Sequence, residues 1–113
     1  MKKTYTGNEG IRDVNNELIY SITVRNQIRQ QQVTVGNTAT LIPSTPLTNR
    51  AFILIQNEGT NPIYIGASTV AVSGADKGFS IYPRGALRID IEDDVDIYGI
   101  AASNTDIVIL EGE

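Results

Sequence analysis

Histidine, cysteine and tryptophan are all missing from the 113 residues, and methionine occurs once. Without imidazole or thiol there is no Ser-His-Asp or Cys-His nucleophile pair and no zinc site of the usual kind. Zero cysteine also removes any disulfide framework, so the fold does not depend on redox compartment. No window approaches the run of about 18 apolar residues that a membrane span requires. Met1-Lys2-Lys3 leads into Thr4-Tyr5-Thr6 rather than an apolar stretch, so no signal peptide is read there and cytoplasmic synthesis is expected. The glycines form neither G-x-G-x-x-G nor a Walker loop, and no Asn-x-Ser/Thr acceptor is present.

What is present points to strands. Sixteen Ile and eight Val stand against six Leu, and eleven Thr are added to them. Branched side chains fit a pleated, half-buried surface and lose rotamers in a helix. A chain of this size buries about two-thirds of its unfolded surface, so a hydrophobic core is within reach without staples. At 41% hydrophobic and 19% charged, the composition suits a globular domain.

The net charge of -4 is unevenly spread. Residues 1–32 carry five basic and three acidic groups, whereas residues 33–113 carry four basic and ten acidic ones. An acidic body repels phosphate backbones, so nucleic-acid binding is not expected. The basic residues Lys2, Lys3, Arg12, Arg25 and Arg29 are the candidates for docking on an acidic protein surface.

Two regions follow from the pattern: an N-terminal arm over 1–32 and a β domain over 33–113. Residues 1–17 are polar, with Gly7, Gly10 and four Asn or Asp from Asn8 to Asn16. Leu18, Tyr20, Ile22 and Val24 then alternate with polar residues, the period of a half-buried strand. Asn26 to Gln32 reads as a solvated connector or strand extension. From Val33 onward short apolar runs follow one another. They are Val33–Val35, Ala39–Ile42, Ala51–Gln56 (continuous, expected to be covered on both faces), Ile63–Gly66 and the pair Val70 and Val72. Phe79–Ile81, Leu87–Ile91, Val95–Ala101 and Asp106–Glu111 complete the series. Turn signals separate them: Pro43 to Pro46, Asn57 to Pro62, Ser73 to Gly78, and Tyr82-Pro83-Arg84-Gly85. Eight to ten short strands without a sustained amphipathic helix predict an antiparallel β-sandwich or jelly-roll-like barrel.

Few constellations carry chemistry. Glu92, Asp93, Asp94 and Asp96 crowd together, but not in the spacing of a calcium loop, and they read as a solvated hairpin end. Carboxylate pairs of the glycosidase type are available to any chain with thirteen acids. Tyr64, Phe79, Tyr82 and Tyr98 raise the question of sugar stacking, yet strand positions predict core packing with hydroxyls at the rim. No catalytic residue, cofactor or metal site is expected.

Arg50-Ala51-Phe52-Ile53-Leu54-Ile55-Gln56-Asn57-Glu58-Gly59 followed by Pro62-Ile63-Tyr64-Ile65-Gly66 resembles the opening of small β-sandwich virion proteins of tailed bacteriophages. The Gly74–Gly78 loop, Pro83-Arg84-Gly85 before an alternating strand, and Ile97-Tyr98-Gly99-Ile100-Ala101 continue the likeness over residues 50–111. One inserted residue, Arg84, separates the Pro and Gly that are adjacent in the family pattern. The resemblance implies a non-enzymatic structural protein of the capsid decoration, head-fibre, neck or accessory tail kind. It implies a virion location after synthesis in the host cytoplasm, docking on the major capsid protein or another virion protein, and a homo-oligomer with trimers favoured. A receptor- or glycan-binding module at a tail or fibre tip is the alternative. Neither nucleic acid nor membrane is expected as a partner.

Overall fold

A computed structural model describes residues 26–113. The expected strand over Leu18–Val24, the polar segment before it, and Lys2, Lys3, Arg12 and Arg25 lie outside the described residues. Within them the β-branched runs form eight strands and no helix. These are β1 (Ile28–Val35), β2 (Thr40–Leu41), β3 (Phe52–Asn57) and β4 (Ile63–Gly66), then β5 (Phe79–Ile81), β6 (Ala86–Ile89), β7 (Tyr98–Ala101) and β8 (Thr105–Gly112).

Two four-stranded sheets result, in the orders β1-β8-β3-β6 and β2-β7-β4-β5, and every pairing is antiparallel. The pairings β1·β8, β2·β7, β3·β6 and β4·β5 describe one long hairpin folded across its middle. The further contacts β3·β8 and β4·β7 show that hairpin rolled up on itself. This eight-stranded arrangement of two interleaved Greek keys is a jelly roll. The all-β sandwich expected from the composition is therefore present in its rolled form.

Alternation fills the space between the sheets. In β8, Thr105, Ile107, Ile109 and Glu111 are buried, whereas the residues between them are exposed or half-buried. Ile53 and Ile55 of β3, Ile63 and Ile65 of β4, Ile81 of β5 and Val35 of β1 meet them from both sheets. Gly99 of β7 lets Ile42 lie close, because a Cβ there would come within 2.5 Å of Ile42 Cδ1 and the Ile42 side chain would have to shift.

One open reading is decided, for strand extension, and two expectations shift. Ile28–Gln32 belongs to β1 and continues its ladder with β8 without interruption from Ile28↔Gly112 to Val35↔Thr105. The ladder thus crosses the boundary drawn between residues 32 and 33. Gln30, Gln31 and Gln32 offer no alternation, and main-chain pairing with an eight-residue neighbour makes the strand. Val70 and Val72 do not mark a strand. They sit in a closed loop, tied by the Ala71–Lys77 bridge and turned by Gly74 at φ 86°. Finally, β3 is covered on its inner face and only partly on its outer one. Phe52 is buried beneath the Arg88 guanidinium, 5.2 Å from the ring centroid, but Leu54 is half-buried and Gln56 exposed.

Candidate functional site

One end of the sandwich is closed by charge. Arg29, Glu111 and Ile53 lie in one row across the first sheet. Glu111 therefore points between the sheets with its side chain fully buried. Arg29 Nε donates to Glu111 Oε1 at 3.2 Å, and its Nη2 reaches the same oxygen. Arg50 comes over from the loop before β3 and donates through Nη1 to Oε2 at 2.9 Å. The Leu47 amide donates to Oε2 as well, at 3.1 Å. Arg50 Nη2 donates to the Val95 carbonyl at 2.9 Å, which fastens the turn after β6 to the same knot. Both carboxylate oxygens of Glu111 are thus held by guanidinium groups.

Arg29 is the one proposed docking residue within the described region. Its guanidinium is committed to Glu111 and to the Thr45 carbonyl, with 34% of the side chain exposed. Lys2, Lys3, Arg12 and Arg25, the remaining four candidates, lie outside the described residues.

The opposite end carries a second polar knot. Asn57 is fully buried at the end of β3, and its amide donates to the carbonyls of Asn61 and Ile81 at 2.8 and 2.9 Å. Its Oδ1 accepts from the Gly59 amide, so one side chain fixes the Asn57–Pro62 turn against β5. Next to it, Gly85 N–H donates to the Tyr82 carbonyl at 2.7 Å and closes the Pro83-Arg84 turn. Arg84 occupies that turn's third position at φ 68°, where the positive φ favours glycine.

Between the edge strands β5 and β6 the sandwich is open. A groove of about 430 Å³ is lined by Ile65, Phe79, Leu87, Ile89, Ile91 and Ile97 among others. Phe79 shares its parity with buried Ile81 and reaches the mouth of this groove, 64% exposed. Tyr82 is equally exposed at the start of the following turn. Core packing was expected for both. It fails because β5 is a three-residue edge strand with nothing beyond it among the described residues.

The acidic turn stays at the surface. Asp93 Oδ2 accepts from the Asn49 amide at 2.8 Å, holding Asn49 at φ 61°, and Asp90 pairs with Arg88 at 3.0 Å. Among the described residues no group of three or more His, Cys, Asp or Glu is placed to hold a metal ion.

No protein-family model and no curated protein matches the sequence. The site reading therefore rests on geometry: two buried polar knots, an open apolar mouth and the edges of two sheets.

The sheet edges differ sharply. Among the described residues β2, β5 and β6 are edges of two, three and four residues, whereas β1 runs eight residues as an edge of its sheet. The Gln-rich half of β1 carries no period-two signal, which is why its sequence reads as either a connector or a strand extension.

Proposed function

We propose that the protein is a non-enzymatic structural protein of a tailed-phage virion, foremost a capsid decoration or auxiliary protein docking on the major capsid protein. It is made in the host cytoplasm, acts on the virion, and assembles as a homo-oligomer, with a trimer the favoured state. The observation that carries this reading is where the residues of the phage resemblance fall. Arg50 lies in the buried charge knot and Asn57 and Gly59 in the amide knot. Pro83 and Gly85 form the tight turn, and Gly99 lets Ile42 pack. Every one of these residues supports the scaffold, and none is a reactive group. Jelly rolls recur in viral capsid proteins, which supports the reading by analogy of fold.

Co-sedimentation with phage heads lacking the protein tests it. Full-length chain should pellet with the heads, and deletion of residues 1–17 should abolish pelleting while leaving the circular dichroism of the β body unchanged. Full-length protein that stays in the supernatant overturns the docking reading. Unchanged pelleting of the deletion overturns the tether role of the arm.

Exposed Phe79 and Tyr82 favour one second reading, a glycan- or receptor-binding module at a tail or fibre tip. Aromatic faces of this kind stack on apolar or sugar surfaces. A glycan array should then give hits that Phe79→Ala and Tyr82→Ala remove, and an array without hits excludes it.

A further inference from the structure

Three apolar side chains along one side of the first sheet lack full cover. Leu87 and Ile89 of β6 and Ile91 after it pack against the core yet stay half-buried. With Ile65 and Ile97 they line the groove of about 430 Å³ between β5 and β6. Gly66 and Ala67, at the end of β4, also line it and bring little side chain to fill it. A space of this volume with hydrocarbon walls accommodates several apolar side chains.

The apolar surface continues past the groove. Phe79 at its mouth is 64% exposed, and Val95, beside the lining residue Asp96, is 49% exposed. A small molecule sunk among the isoleucines leaves both in water. A chain segment lying along the groove covers them as well, and removing this surface from water drives its binding.

Charge at one end of the groove indicates what that segment carries. The link from β6 to β7 passes there from the first sheet to the second, and Ile91, Asp96 and Ile97 of this link line the groove. Asp93 of the link is held by the Asn49 amide, and Asp90 before it pairs with Arg88. Glu92, Asp94 and Asp96 are exposed, and among the described residues no ion pair uses their carboxylates. A cationic group on the occupant meets three carboxylates here, whereas an anionic one such as a fatty-acid headgroup is repelled. Residues 33–113 carry ten acidic and four basic groups, so the same field opposes a second copy of this body.

We propose that the groove between β5 and β6 docks an apolar chain segment of another protein, one that carries lysine or arginine where it passes the Glu92–Asp96 link. This does not depend on the virion reading, and it gives the β body a docking surface of its own, separate from the arm.

Methyl NMR of the full-length chain tests it, with a pair of capped peptides as probes. One alternates leucine with threonine and ends in a lysine pair, and the other ends in a glutamate pair instead. The lysine peptide should shift the methyl signals of Ile65, Leu87, Ile89 and Ile97 and bind about tenfold tighter than the glutamate peptide. Asp94→Asn combined with Asp96→Asn should bring the affinities together while the same methyls shift. Phe79→Ser, at a side chain exposed enough to spare the fold, should weaken both peptides. A titration without shifts, shifts that avoid the groove, or equal affinities for wild type overturn the proposal. So does a lysine preference that survives the Asn pair, or binding indifferent to Phe79→Ser. Groove signals that move when the chain alone is diluted assign the groove to a second copy. Cross-peaks from the groove methyls to residues 1–25 at every dilution assign it to the chain's own arm, and either result also overturns the proposal.

Discussion

Glu111 Oε2 accepts a hydrogen bond from Arg50 Nη1 at 2.9 Å, and both side chains are fully buried. The two residues are 61 positions apart, and the contact joins the last strand to the loop that enters β3. Removing one partner of a buried pair leaves an uncompensated charge, which costs about 3–5 kcal/mol. Glu111→Gln should lower stability by that amount in urea denaturation, because two guanidinium groups then face a neutral amide. Arg29→Ala should cost about 1 kcal/mol or less, since that guanidinium is one-third exposed and screened by water. Equal losses in the two variants would show that the knot does not have Arg50–Glu111 at its centre.

Asn57 makes three hydrogen bonds with a fully buried side chain. Asn57→Ala leaves the Asn61 and Ile81 carbonyls and the Gly59 amide without these partners. A loss of about 3 kcal/mol is expected, because each buried orphan costs about 1–3 kcal/mol and the Asn61 and Gly59 sites are only part-buried. Asn57→Asp should be worse, because it turns an acceptor toward two carbonyl oxygens. Equilibrium denaturation of the two variants gives the order directly.

Arg84 holds φ 68° at the third position of its turn. Left-handed backbone costs a non-glycine residue roughly 1–2 kcal/mol, and glycine returns about 0.5–1 kcal/mol of that through its freer unfolded chain. Arg84→Gly should therefore raise stability by about 0.5 kcal/mol, whereas Arg84→Val should lower it. A thermal melt that falls for both substitutions would contradict this account of the turn.

Gly78 approaches the backbone of β4, and a Cβ there would lie 2.7 Å from the Ile65 carbonyl oxygen. Backbone cannot step aside as a side chain can, so Gly78→Ala should cost about 1–3 kcal/mol or more through overpacking. Gly74 sits in the same loop with open space around its missing Cβ, at φ 86°. Gly74→Ala should cost about 1 kcal/mol, from backbone strain alone. Comparing the two unfolding midpoints separates steric from conformational demand.

The strands with an alternating signal were legible in the sequence. Ile63 and Ile65, Leu87 and Ile89, and Ile107 and Ile109 lie on strands where period two put them. The Tyr82–Gly85 turn also follows from its proline. What sequence reading missed depends on the third dimension. The Gln-rich half of β1 reads equally as a connector or a strand extension, and only the pairing with β8 decides for the strand. Phe79 has the composition of a core residue, and its exposure follows from β5 lying at a sheet edge. Arg50 and Glu111 were letters in two separate segments, and only the rolled hairpin brings them together. Arg29 looked like a free basic group because its partner lies 82 residues away.

The central claim is that this jelly roll is a component of a phage particle. Quantitative mass spectrometry of purified, genome-filled virions from a strain carrying the coding sequence tests it most directly. The account predicts the full chain in a fixed copy number per particle, as a whole multiple of its oligomer. Particles that contain no copy of the chain, while the same lysate holds it free in solution, would contradict it.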